Sequence, residues 1–72
     1  MISLELIGWN KGIKTVSLIE ITSFYSTHSL IKAKNIVDQL LEGKSVTLYF
    51  EDEISRNEYH KKAENLGAVI KL

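Results

Sequence analysis

The amino-acid sequence predicts a small α+β domain in the order β-α-α-β-α-β, and three observations carry that prediction. Residues 27–43 hold one clean helical period, residues 46–50 alternate strictly between apolar and polar, and both ends of the chain repeat that period of two. The architecture expected is a two-layer sandwich: a three-stranded antiparallel sheet with the first strand central and three helices on one face.

Ile2, Leu4 and Leu6 alternate with Ser3 and Glu5, so residues 2–7 read as a strand with one buried face that Gly8 ends. Trp9-Asn10-Lys11-Gly12 then reads as a loop, because Asn and Gly tolerate positive φ. Trp9 either caps the edge of the core, the favoured place for a lone indole, or projects as a contact residue. Residues 15–25 are rich in β-branched side chains, yet Ser17, Glu20 and Ser23 recur every third residue and place a polar side on a helix.

The next helix is the best marked. Leu30, Ala33, Ile36, Val37, Leu40 and Leu41 form one apolar stripe, Thr27 or Ser29 supplies the N-cap, and Gly43 stops it. Ile36 on that stripe and Leu48 on the following strand are expected to be nearly inaccessible. The short link 26–28 makes the two helices a hairpin. In the last helix Ser55 and Glu58 match a capping box, Ile54 and Tyr59 match a hydrophobic staple, and Gly67 is the stop. Ala68, Ile70 and Leu72 alternate as a closing strand. One helix between the second and third strands makes those two parallel to each other, so an antiparallel sheet must hold the first strand between them, reached by a right-handed crossover.

Seventy-two residues suffice for one domain of modest stability. The chain has no Cys, so the core must hold the fold without disulfides or thiolate metal sites, as suits a reducing compartment; a cytoplasmic location is the expectation. No apolar run approaches the roughly 18 residues that span a bilayer, and Met1-Ile2-Ser3 lacks the basic start of a signal peptide. Nine basic and nine acidic residues cancel, which argues against direct nucleic-acid binding, since that needs an excess of Lys and Arg.

Catalytic chemistry is not apparent. His28 and His60 are the only imidazoles and no carboxylate stands at ligand spacing to either, so neither a metal nor another cofactor is expected. No Ser sits between glycines on a strand-to-helix turn, and Lys11-Gly12 lacks the glycine density of a phosphate loop. The expectation is a non-enzymatic protein.

Ile31-Lys32-Ala33-Lys34-Asn35-Ile36-Val37-Asp38 resembles the Leu-Lys-Glu-Ala-Lys-Asp-Leu-Val-Glu stretch in the C-terminal domain of the bacterial ribosomal stalk protein. Lys61-Lys62-Ala63-Glu64-Asn65-Leu66-Gly67-Ala68-Val69 resembles its closing helix, Gly-Ala turn and last strand. The resemblance covers nearly the whole chain and implies the same element order, with recruitment of GTPase translation factors through a basic, small-residue surface on the first two helices. Carried over residue by residue, it implies a partner surface at Lys14, Glu20, His28, Ile31, Lys32 and Lys34. The family's Gly-Leu-Gly-Leu opening of the second helix matches Thr27-His28-Ser29-Leu30, without its glycines, and its basic positions in the first helix match Thr15, Glu20 and Ser23. The family's N-terminal dimerisation helices and hinge are not in these residues, so the expectation is a diverged, stand-alone version, monomeric or weakly dimeric. Two alternatives stand beside it: a peptide-binding module resembling the Clp-protease adaptor, whose adjacent acidic residues are replaced here by Trp9-Asn10-Lys11-Gly12, and a self-associating domain of unrelated role.

Overall fold

The eight-residue strand β1 (Ile2–Trp9) lies at the centre of a three-stranded sheet, with β2 (Val46–Phe50) and β3 (Ala68–Lys71) paired antiparallel to its two sides. The computed structural model describes residues 2–71, so Leu72, expected on the closing strand, lies outside the described residues. Helices α1 (Thr15–Tyr25) and α2 (Leu30–Leu41) connect β1 to β2, and α3 (Glu53–Leu66) connects β2 to β3. The order β2-β1-β3 is the one demanded by two helices in one connection and one in the other.

Alternation along the strands becomes a two-sided sheet. Leu4 pairs with Leu48 and Leu6 with Val46, all four buried, while Ser3, Thr47 and Tyr49 remain exposed on the other face. Helices α2 and α3 pack on the buried face, and α1 packs chiefly against those two, sending Leu18 into the core. Inside, the Tyr59 and Phe50 rings meet with centroids 5.3 Å apart. Among the described residues the one buried polar side chain of this core is Thr22, whose hydroxyl lies 2.7 Å from the Leu18 carbonyl and 2.8 Å from the Tyr59 hydroxyl.

Several local expectations are corrected. Strand β1 does not end at Gly8: a bulge between Leu6 and Gly8 lets it run on, so that Gly8 pairs with Val69 and Trp9 with Ala68. Trp9 is therefore a strand residue at the sheet's end, 43 % exposed. On α2 the fully buried positions are Ala33, Val37 and Leu40, whereas Leu30 is exposed and Ile36 only half-buried. Leu48 is inaccessible, as expected. Of the two candidate caps for α2, Ser29 fills the role, its Oγ accepting from the Lys32 amide at 3.3 Å. On α1 the exposed stripe is Val16, Glu20 and Phe24, recurring every fourth residue, while Ser17 and Ser23 are half-buried.

Helix α3 begins earlier than its Ser55–Glu58 box implies. Asp52 is the N-cap, its Oδ1 accepting from the Ser55 amide at 2.7 Å, and Ile54 is 72 % exposed, so no staple with buried Tyr59 forms. The two spacings compete directly, and the carboxylate wins because it accepts more strongly than a hydroxyl and because Asp52 holds the extended backbone that a cap requires. Asp52→Ala is accordingly expected to lower the urea midpoint at neutral pH, with Ser55→Ala leaving it unchanged. The Ser55 amide holds the Asp52 carboxyl below its usual range. A group depressed on folding stabilises above its ordinary value, so the gap between wild type and Asp52→Ala should close as pH falls through the carboxylate range. The reverse ranking of the two variants would place the cap at Ser55 after all.

Candidate functional site

The six residues expected at a partner surface do not form one patch. Lys14 occupies the N-cap position of α1, its amide donating to the Leu66 carbonyl at 2.9 Å. The hairpin turn lies at the other end of that helix, roughly 18 Å along its axis at about 1.5 Å per residue. Glu20 sits midway on the outer stripe of α1, between Val16 and Phe24. At about 100° per residue, Ile31 and Lys34 fall on one flank of the buried α2 stripe and Lys32 on the opposite flank, with His28 in the turn before the helix.

The first cluster is apolar and outward. Phe24 is 79 % exposed, Ile31 78 % and Leu30 58 %, and all three fall at the turn end of the α1–α2 hairpin, with Val16 further along α1. Lys34 stands on this side, but its Nζ is 3.1 Å from Asp38 Oδ2, a solvent-exposed pair that leaves it only partly available to another acid. Reading the sequence alone missed Phe24, and it assigned Leu30 to the core.

The second cluster is a polar groove of about 450 Å³ between α2 and the start of β2. Lys32, Asn35, Ile36 and Gln39 line its helical wall, residues 45–47 its other wall, and His28 its end. The spacing of those α2 residues is that of one helical flank, and this explains why Ile36 is half-buried: its side chain faces the groove beside the core. Burial, and then the nearby Lys32 charge, push the His28 imidazole below its ordinary value. Among the described residues, His28 Nε2 is the buried side-chain atom left without a hydrogen-bond partner.

No group of three or more His, Asp or Glu side chains among the described residues could hold a metal ion. No helix among them is long and apolar enough to cross a membrane. Elsewhere, His60 Nε2 lies 3.4 Å from Glu64 Oε1, one turn apart on α3, and the buried Tyr59 hydroxyl is taken up by Thr22. Neither arrangement pairs a nucleophile with a base. Compared with known proteins, the chain matches no family model, no curated protein and no solved structure.

Proposed function

We propose that the chain is a non-enzymatic protein-interaction domain whose contact surface is the outer side of the α1–α2 hairpin. The observation that carries this reading is the exposure of Phe24, Leu30 and Ile31 at the turn end of the hairpin. Large apolar side chains gathered on a surface mark contact sites, because their removal from water stabilises a complex. Glu20 and Lys34 flank them with charges of both signs. Such rim charges act on association rate and on the choice of partner more than on affinity.

The partner favoured is a GTPase translation factor. Support comes from the resemblance of residues 31–38 and 61–69 to the stalk-protein domain and from the common element order. Titration of labelled protein with a purified elongation factor is expected to give salt-sensitive binding in the micromolar range, as for other small transient contacts. The double substitution Phe24→Ser and Ile31→Ser should abolish that signal while leaving the melting curve intact, since both side chains are outside the core. No binding at high micromolar concentration and low salt would reject translation factors as partner. Binding that survives the double substitution would reject the surface.

A further inference from the structure

We propose that the free edge of β2, with the groove beside it, receives an extended acidic segment of a partner protein that adds to the sheet as a fourth strand. This surface is separate from the hairpin patch, and it rests on different observations.

Backbone geometry provides the first. Residues of an antiparallel strand aim their N–H and C=O groups at one neighbour and then, at the next residue, at the other. The Tyr49 carbonyl accepts from the Thr27 amide at 3.1 Å, so Tyr49 turns its polar groups away from β1, and Thr47, two residues earlier, does the same. Strand β1 is the sole neighbour of β2 in the sheet, and among the described residues no hydrogen bond from elsewhere in the chain reaches the Thr47 amide or carbonyl. An edge with unpaired donors and acceptors is a template for an incoming strand. Thr27 covers the Tyr49 end, which directs the incoming segment to the Thr47 end, where the groove lies.

Charge supplies the second observation and names the occupant. Lys34 and Lys44 have acidic neighbours, Asp38 at 3.1 Å and Glu42 at 3.5 Å, whereas Lys32 makes no ion pair among the described residues and no carboxylate lines its groove. An uncompensated cation beside an open strand edge selects an acidic side chain. Asn35 and Gln39 add carboxamides on the same wall, Ile36 and Val46 give apolar floor, and His28 brings its unpartnered Nε2. Side chains of an added strand alternate between faces, so every second residue of the segment enters the groove. The recognised pattern is thus an Asp or Glu two residues from a small aliphatic side chain. A second copy does not fit as well, because β2 itself, Val-Thr-Leu-Tyr-Phe, has no acidic residue to offer Lys32.

Selection from a random heptapeptide display library against the intact chain tests the proposal. Enriched peptides should carry an acidic residue alternating with β-branched or aliphatic ones. A synthetic peptide of the enriched sequence should shift the amide resonances of Lys32, Gln39 and Thr47 and slow hydrogen exchange at Thr47. Lys32→Glu, at an exposed helical position, should weaken its binding at least tenfold with the fold retained, and Thr47→Pro, which deletes the edge donor, should do likewise. Peptides without acidic residues, or peptides that shift Phe24 and Ile31 in place of Thr47, would overturn the assignment. So would a concentration-dependent dimer that Thr47→Pro dissolves, which would give the edge to a second copy.

Discussion

Gly67→Ala is expected to destabilise the fold by about 3 kcal/mol, a large share of the roughly 4–10 kcal/mol available to a chain of this size. Gly67 caps α3 with φ +110°, a backbone conformation that costs an L side chain about 1–2 kcal/mol. Space compounds the strain. A Cβ at this position would lie 2.9 Å from Ile13 Cα and 3.1 Å from Ile13 Cβ, so the loop before α1 must move. That loop is tied to the end of α3 by hydrogen bonds from the Asn10 amide to the Gly67 carbonyl at 2.7 Å and from the Lys14 amide to the Leu66 carbonyl at 2.9 Å. Loosening them costs about 1 kcal/mol each. Gly43→Ala is the control, because Gly43 has a similar φ of +95° with nothing within 4 Å of a new Cβ. It should lose only the conformational part, about 1–2 kcal/mol. Equal losses in urea melts of the two variants would mean that the Ile13 contact adds nothing.

The same junction illustrates what the sequence could and could not reveal. Gly67 and Gly43 announce helix ends because only glycine takes positive φ cheaply, and the alternation at 46, 48 and 50 announces a strand because side chains must leave it on alternate faces. From these local signals the element order, and hence a central β1, followed. What failed depended on partners distant in sequence. An apolar stripe on α2 is wide enough to include Leu30 and Ile36, and only the placement of α1 and β2 decides which of its flanks is covered. Gly8 reads as a stop until the pairing with Val69 turns it into part of a bulge. Asp52 and Ser55 each stand three residues before a helical amide, and the choice between them depends on where β2 releases the chain. The candidate sites divide in the same way. Glu20, Ile31 and Lys34 could be reached only through a family resemblance, whereas the groove joins Lys32 to Thr47 across an intervening turn. Its one local trace is the spacing of Lys32, Asn35 and Gln39 along a helix flank.

Alkaline pH should unfold this protein through Tyr59. The side chain is fully buried against Phe50, and its hydroxyl lies 2.8 Å from Thr22 Oγ1. Thr22 gives its one hydroxyl hydrogen to the Leu18 carbonyl at 2.7 Å, so Tyr59 must be the donor between the two and must keep its proton. Burial pushes the Tyr59 phenol up to about 12 from 10.0. Folding therefore raises this group's pKa, and its contribution is fully present below pH 10, where both states hold the proton. Between about pH 10 and 12 the unfolded chain releases the proton and the folded one retains it, so stability falls by about 1.4 kcal/mol per pH unit, nearly 3 kcal/mol in all. Tyr59→Phe isolates the part of the alkaline loss that belongs to the buried phenol. The variant keeps the ring and leaves the Thr22 bond to Leu18 intact, so at neutral pH it should lose only about 1 kcal/mol. Its stability, from urea midpoints taken at successive pH values, should then decline less steeply than that of the wild type and overtake it a little below pH 11, where the wild type has lost about 1 kcal/mol. Parallel curves through that interval would show that the alkaline loss arises elsewhere and that the buried phenol does not control it.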